Sequence, residues 1–290
     1  MKPKVSVIMT AFNQEAYVDR AIAGVMHQKG NFDIELLIAN DASTDGTLDR
    51  VMAWQRRYPN NIRVINHPKN LGLAPNYLSA FREATGDYLC ICDSDDYWIS
   101  SHKLERQVRY MESHPECAIT FHRVINIYEP EGVKTLSNGG TPVDSTIREL
   151  SRSNFITNSS VMYRRRLVPA EDLPDWLATV SSPDYVYHML YAIHGTVHYF
   201  KRPTAVYLKH PQSDWSLSGE EKRLRMSFDV RQRLMEHFGL ESPAYQGLKE
   251  ASDNILRALE NLKKPTAKKQ SFLKKAYRKL TTFLPAPKPC

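Results

Sequence analysis

The chain has 290 residues, of which 42% are hydrophobic and 24% charged, and its formal net charge is +7. A chain of this length and composition can bury a large core, which excludes disorder throughout. Residues 261–290 hold nine Lys or Arg and no acidic residue, so the rest of the chain carries a net charge of −2. The folded body therefore lacks the basic face that nucleic-acid binding needs, and no nucleic-acid partner is expected.

The apolar stretches are short, and even those at 5–9 and 88–92 fall far below the roughly 20 residues that cross a bilayer. The start of the chain has no apolar signal segment, which predicts a cytoplasmic protein. The four cysteines form no CxxC pair. Cys90 and Cys92 point to one face of a predicted strand, where they are expected to be buried as small hydrophobic residues. Neither a disulfide framework nor a zinc site is expected.

Strands and helices alternate over the first 92 residues. The predicted order is strand 5–9, helix 16–26, strand 32–39, helix 47–58, strand 62–65, helix 74–84 and strand 88–92. Apolar strands separated by amphipathic helices predict an α/β fold with a parallel sheet covered on both faces. Ligands bind such sheets at the carboxyl ends of the strands. The polar loops 10–14, 40–45 and 93–96 should therefore meet along one edge.

The pattern becomes mixed after residue 104. A helix to about residue 111, a strand at 118–124, an irregular polar stretch at 132–144 and a segment at 156–163 should form the second half of a cleft. Ser218 and Glu221 have capping-box spacing, which predicts a helix to Gly239, and another helix follows Pro243. Apolar and basic side chains at helical spacing in 272–284 predict an amphipathic helix. Such a helix could bind an anionic membrane surface at the inner face of the cell membrane. Packing against its own domain and contact with a second copy in a homo-oligomer are the alternatives.

Asp93, Asp95 and Asp96 directly follow a predicted strand. Carboxylates this close repel one another unless a cation or hydrogen-bond donors neutralise them. Mn²⁺ or Mg²⁺ prefers carboxylate oxygens and often shares its coordination with substrate phosphates. A DxDD motif standing alone would more often be a solvated turn that caps the next helix, so the surrounding motifs decide between the two interpretations.

Several motifs, in the same order along the chain, resemble those of family 2 inverting glycosyltransferases of the bacterial surface-polysaccharide type. They are VSVIMTAFN at 5–13, IANDASTDGT at 38–47, NLGL at 70–73, ATGDY at 84–88, DSDDYW at 93–98 and KLE at 103–105. The resemblance implies the GT-A fold, with a catalytic domain at 1–217 that divides into a Rossmann-like nucleotide-sugar half (1–110) and a mixed acceptor half (111–217). C-terminal helices at 218–264 and a basic amphipathic tail at 265–290 would follow.

The resemblance also implies a donor site. It places Thr10, Phe12 and Asp41 around the nucleotide base, Asp93 near the ribose and Asp95 on a metal that bridges the diphosphate. Phe12 can stack on a base, while the two carboxylates accept hydrogen bonds from a pyrimidine N–H and from ribose hydroxyls. Phe12 stands where tyrosine is more usual in the family, and Ala42 where glycine is common.

The segment SPDYVYHML at 182–190 resembles the part of the family in which the catalytic base opens a helix. An inverting transfer needs a base that deprotonates the acceptor hydroxyl, and Asp184 is the matching acid. The family often has two acids here, whereas Pro183 precedes a single one in this chain. A helix N-cap is the alternative interpretation of Asp184.

The segment YLKHPQS at 207–213 resembles a block near the family's active site. By this resemblance, His210 would reach the metal or the diphosphate, and Lys209 would neutralise the departing diphosphate. A lone histidine is otherwise more often structural.

The segment NSSVMYRR at 158–165 resembles the strand that lines the acceptor side. Asp96, Trp98 and Trp215 are candidates for acceptor contacts, and support of the neighbouring site residues is the alternative role for Asp96. The two tryptophans suit packing equally well, because aromatic area serves a core as readily as a sugar face.

These motifs predict a metal-dependent, inverting hexosyl- or N-acetylhexosaminyltransferase. Its donor would be a UDP-sugar, with dTDP and GDP as alternatives, and its acceptor a hydroxyl of a glycan or lipid-linked glycan in surface-polysaccharide synthesis. Phosphoryl transfer of the haloacid-dehalogenase kind is the rival enzyme class, but Tyr97 stands where that class expects Thr or Val. A nucleotide-binding module without catalysis and a degenerate scaffold are further alternatives, although no GxGxxG follows the first strand.

Overall fold

The computed structural model of the chain describes residues 2–129, 131–211 and 218–263. Its strands are β1 Lys4–Ala11, β2 Asp33–Asn40, β3 Ile62–Asn66, β4 Tyr88–Ile91, β5 Tyr97–Trp98, β6 Cys117–Tyr128, β7 Val133–Leu136, β8 Asp144–Ser145, β9 Met162–Arg164 and β10 Thr196–Lys209. Its helices are α1 Val18–Met26, α2 Thr47–Arg57, α3 Leu73–Glu83, α4 Lys103–Ser113, α5 Ile147–Arg152, α6 Pro183–Ala192, α7 Glu220–Phe238 and α8 Tyr245–Lys263.

These strands form one sheet in the order β3-β2-β1-β4-β9-β6-β10-β5, with β7 paired to β6 and β8 to β10. The first four strands in this order are parallel, as the alternation of strands and helices predicts. Strand β9 joins them antiparallel to both β4 and β6. The sheet is therefore parallel in the half that holds the N-terminal motifs and mixed in the other half, which confirms the predicted architecture.

Both faces of the sheet are covered. Along β1, Val5, Val7 and Met9 belong to a core shared with α1 and α4, while Ile8 belongs to a core shared with α3 and α6. This alternation follows from the two-residue period of a strand. Cys90 and Cys92 are buried in the first of these cores, as predicted.

The structure corrects three local predictions. The polar stretch 132–144 contains β7 and the start of β8. The segment 156–163 contains the 3₁₀ turn Asn158–Ser160 and only the start of β9. Helix α7 has Gly219 as its N-cap with no side-chain capping bond, because the helix starts one residue later than the predicted capping box requires.

Helices α7 and α8 pack against each other, and α8 also packs against α5. None of the helices in the described ranges is long and apolar enough to cross a membrane. Trp215 and the basic tail 265–290 lie outside the described residues, so their predicted roles stay predictions.

Glu35 is a buried carboxylate on β2, at the end of the sheet opposite the acidic loops. It accepts hydrogen bonds from the Ser6 hydroxyl (2.5 Å) and the Thr85 amide (2.7 Å), and its Oε2 lies 2.7 Å from Lys4 Nζ. Burial alone would raise the pKa of Glu35, but these partners outweigh it and lower the pKa from 4.5 to about 2. Stability from this group is thus fully present above about pH 4.5 and is lost as the pH falls toward 2.

We expect Glu35→Gln to lower the free energy of unfolding at pH 7 by about 2 kcal/mol and to weaken its dependence on pH between 4.5 and 2. Urea unfolding at a series of pH values measures both effects. Glu83→Gln is the matched control, since Glu83 pairs with Arg63 at the surface and should contribute less than about 1 kcal/mol. Equal acid sensitivity of the Glu35 variant and the wild type would contradict this role.

Candidate active site

The acidic loops meet at the carboxyl edge of the parallel strands. Because β4 and β2 both flank β1 in parallel, the residues that follow each strand arrive at the same end of the sheet. The Thr10 hydroxyl donates to Asp93 Oδ1 over 3.1 Å, and the Asp41 amide donates to the Ala11 carbonyl over 2.9 Å. The predicted convergence of the three loops is confirmed.

Asp93 is held by donors from three different elements. Thr10 and the Tyr77 hydroxyl donate to Oδ1, and the Asn158 amide donates to Oδ2 over 3.1 Å. Burial, reinforced by the charge of Asp95, raises the pKa of Asp93 to about 6, although the three hydrogen bonds oppose this rise. The carboxylate is therefore fixed in direction at the centre of the edge.

Asp95 and His210 form a pair suited to a divalent cation. Asp95 Oδ2 lies 3.3 Å from His210 Nε2, and the Asp95 side chain is 19% exposed while His210 is 1% exposed. The His210 ring packs against Tyr17, with ring centroids 4.7 Å apart. A carboxylate and an imidazole that face each other fit a Mn²⁺ or Mg²⁺ ion which completes its coordination with phosphate oxygens and water.

The described residues hold no larger metal-binding group. Over residues 2–129, 131–211 and 218–263, no three His, Cys, Asp or Glu side chains are placed to hold a metal ion together.

Asp96 is not available to an acceptor. Its side chain is buried, and Oδ1 accepts a 3.0 Å hydrogen bond from the backbone amide of Leu208. Burial, followed by the charges of Asp95 and Asp93, raises the pKa of Asp96 well above its usual range. This carboxyl group joins the acidic loop to β10, which fits the supporting role that was the alternative prediction for Asp96.

Trp98 does not face the cleft either. The ring is buried in β5, its Nε1 donates to the Ser159 carbonyl over 2.8 Å, and Lys103 Nζ lies 4.1 Å from the ring centroid. A ring enclosed in this way cannot stack on a sugar, so the predicted acceptor role is wrong.

Asp184 lies in the first turn of α6, and its Oδ1 accepts a 2.6 Å hydrogen bond from the Ser182 hydroxyl. Ser182, not Asp184, is the N-cap of this helix, so the alternative interpretation of Asp184 as the cap is wrong. Burial raises the pKa of Tyr77 most, and the charges of Asp93 and Asp184 raise it further.

The pKa of Tyr207, on β10, is raised by acids at the site. Burial raises its pKa most, and the negative charges that raise it further belong to Asp96, Asp95, Asp184 and Asp93. These acids belong to two parts of the fold, the loop after β4 and the first turn of α6. Sequence reasoning gave no role to Tyr207, Tyr77 or Asn158, although two of them stand in the quoted motifs.

The predicted base-binding residues differ in accessibility. Phe12 is 44% exposed and leaves a ring face open, as stacking requires. Asp41 is buried, and its carboxylate accepts backbone hydrogen bonds from Leu71 (2.7 Å) and Gly72 (3.0 Å). Each of its oxygens keeps a further lone pair. Ala42 adopts a positive φ of 55°, which explains why glycine suits this position.

Lys209 lies beside His210 in the chain. Its Nζ donates to the Tyr128 hydroxyl over 3.1 Å and sits 4.7 Å from the centroid of that ring. Its predicted role at the diphosphate stays a prediction.

The family model described as Glycosyl transferase family 2 matches residues 6–169. The chain belongs to this family. Membership in this family replaces the haloacid-dehalogenase alternative.

Curated relatives agree with this assignment. The uncharacterized protein Rv1520 of Mycobacterium tuberculosis is 35% identical over 224 residues, which cover 75% of this chain and 62% of the relative. The putative glycosyltransferase EpsE of Bacillus subtilis is 29% identical over 218 residues, covering 71% and 78% of the two chains. The putative teichuronic acid biosynthesis glycosyltransferase TuaG of the same organism is 32% identical over 146 residues, covering 50% and 53%. The match to Rv1520 thus leaves more than a third of that relative uncovered.

Solved structures show the fold. S. aureus TarS 1–349 in complex with UDP-GlcNAc matches with a TM-score of 0.66 and 18% identity, over 86% of this chain and 71% of that chain. The mannosyltransferase PcManGT from Pyrobaculum calidifontis, in complex with GDP-Man and Mn²⁺, matches with a TM-score of 0.63 and 16% identity, over 96% and 80%. The predicted GT-A fold is confirmed.

Proposed function

We propose that this family 2 enzyme is a metal-dependent, inverting glycosyltransferase that moves a sugar from a UDP-sugar to a hydroxyl of a glycan or lipid-linked glycan. The observation that carries the proposal is the loop after β4, where three donors fix the Asp93 carboxylate and Asp95 lies 3.3 Å from His210. A turn that only caps the next helix would need neither the three donors nor the facing histidine.

The donor half of the proposal is supported by the edge formed by β1, β2 and β4. Phe12 offers an exposed ring for the base, Asp41 keeps lone pairs beyond its two backbone hydrogen bonds, and the fixed carboxylate of Asp93 can accept from ribose hydroxyls. UDP-GlcNAc and GDP-Man appear in the structural relatives, so a nucleotide-diphosphate sugar suits this edge. The name of TuaG, which refers to teichuronic acid biosynthesis, supports a role in surface-polysaccharide synthesis.

The reaction proposed is a single displacement. The Asp184 carboxylate accepts the proton of the acceptor hydroxyl as its oxygen forms a bond to the anomeric carbon. The bond from that carbon to the diphosphate oxygen breaks on the opposite side, so the configuration inverts and the nucleoside diphosphate leaves. Asp95 and His210 would hold a divalent cation, which when bound supplies positive charge to the diphosphate, and Lys209 would add to this charge.

Turnover tests the proposal. The chain is incubated with UDP-Glc, UDP-Gal or UDP-GlcNAc, Mn²⁺ and a bacterial lipid extract, and released UDP is measured before the product is purified for NMR. We expect UDP release that depends on the extract and a product with an anomeric configuration opposite to that of the donor. A product that retains the donor configuration would contradict the single displacement.

A further inference from the structure

The 3₁₀ turn Asn158–Ser160 connects the mixed half of the sheet to the donor edge. Asn158 Nδ2 lies 2.8 Å from the Tyr77 hydroxyl and 3.1 Å from Asp93 Oδ2. Thr10 and Tyr77 both bind Oδ1 of Asp93. Among these donors, Asn158 alone binds Oδ2, so this amide sets the direction in which the second carboxylate oxygen points.

Buried side chains form a hydrogen-bonded network that holds the backbone of this turn. Trp98 Nε1 donates to the Ser159 carbonyl over 2.8 Å, and Gln107 Nε2 donates to the Ser160 carbonyl over 3.1 Å. Lys103 Nζ donates to Gln107 Oε1 over 2.8 Å and covers the Trp98 ring. Two consecutive carbonyls of a three-residue turn are therefore fixed by side chains that are themselves buried.

Displacement of one member of this network shifts the others, because buried groups that share hydrogen bonds cannot relax separately. A buried carbonyl that loses its donor stays unsatisfied, so the backbone moves to find another partner. Movement of this turn would carry the Asn158 amide away from Asp93. Trp98 and Asn158 thus belong to one chain of contacts, although the Trp98 ring never reaches the cleft.

We propose that Asn158 is a positioning residue of the donor site, which orients Asp93 and Tyr77, and that Trp98 acts on the donor site through Asn158. This inference rests on the proposed function, because it needs Asp93 to contact the nucleotide. It gives the enclosed tryptophan of the DSDDYW motif a role in place of sugar stacking.

A double-mutant cycle on nucleotide affinity tests the inference. Calorimetry with UDP, GDP and dTDP in MnCl₂ first identifies a nucleotide that the wild type binds, and the same nucleotide is then titrated into Asn158→Ala, Trp98→Phe and the double variant. We expect Asn158→Ala to weaken binding about tenfold, as loss of a hydrogen bond to a charged group does. Trp98→Phe should weaken binding less, and the double variant should bind no more weakly than Asn158→Ala.

The controls separate positioning from general stability. Trp54→Phe removes an indole hydrogen bond to Asp19 outside the site, and Asn61→Ala removes an amide hydrogen bond to the Ile34 carbonyl. Both should leave nucleotide affinity unchanged even if the melting temperature falls. Asn158→Asp keeps the shape of the side chain and should weaken binding more than tenfold, through repulsion of Asp93, so it serves if the alanine variant does not fold.

The outcomes are distinct. A folded Asn158→Ala variant with wild-type affinity, or effects of Trp98→Phe and Asn158→Ala that add independently, would overturn the inference while leaving the proposed function intact. A wild type that binds none of the three nucleotides would overturn the proposed function and this inference with it.

Discussion

Replacing Asp184 with asparagine is expected to lower the transfer rate by about 10²–10⁴-fold while nucleotide affinity stays within about twofold of wild type. Asparagine keeps the size of the side chain and can still accept the hydrogen bond from the Ser182 hydroxyl, so α6 should begin as before. What it loses is the capacity to take the proton from the acceptor hydroxyl. UDP release in the presence of acceptor, together with calorimetry of donor binding, measures both quantities.

Asp175→Asn is the matched control, because Asp175 is an exposed acid in the preceding 3₁₀ turn Asp175–Thr179. This variant should turn over at the wild-type rate. Unchanged turnover in Asp184→Asn would remove Asp184 as the base. A parallel loss of donor binding would instead give it a role in the donor site.

Asp95→Ala should abolish the part of nucleotide binding that depends on Mn²⁺. In the wild type, Asp95 Oδ2 lies 3.3 Å from His210 Nε2, and the variant would keep only the histidine of this pair. One imidazole is a weak site for a cation that prefers oxygen ligands. Calorimetry of nucleoside diphosphate binding, with Mn²⁺ and with chelator, measures the difference. We expect the affinity of the variant in Mn²⁺ to equal that of the wild type in chelator.

Asp144→Ala is the control for this experiment, since Asp144 is an exposed acid paired with His198 on β8 and β10. It should keep the full response to Mn²⁺. Retention of Mn²⁺-dependent binding in Asp95→Ala would show that other groups hold the cation.

The convergence of the acidic loops could be predicted from sequence because it follows from periodicity alone. Apolar strands alternating with helices predict parallel order, and parallel order places residues such as Thr10, Asp41 and Asp93 at one edge. The burial of Cys90 and Cys92 follows from the same two-residue period.

Trp98 and Asp96 could not be placed this way. Strand β5 has two residues, too few to show a hydrophobic period. The direction of its side chains is set by antiparallel pairing with Ala205 and Val206, more than 100 positions away. That pairing also brings the Leu208 amide to Asp96. Long-range pairing of this kind leaves no local signal in the motif itself.

Tyr77 and Asn158 were overlooked for a different reason. Tyr77 occupies a buried position on α3, where an aromatic residue is sufficiently explained by packing, and its role depends on the hydroxyl alone. Asn158 stands in a segment that sequence predicts only as the lining of the acceptor side. The strands β7 and β8 could not be predicted because they have four and two residues, too few to show a two-residue alternation.

Metal-dependent binding of a nucleotide sugar is the central claim, and thermal unfolding of the wild type tests it most directly. The chain is melted with UDP-, GDP- and dTDP-sugars, each with Mn²⁺ and with chelator. At a ligand concentration near 100 times Kd, one nucleotide class should raise Tm by about 4 °C with Mn²⁺, and much less with chelator. The same rise in chelator, or no rise with any nucleotide sugar, would contradict it.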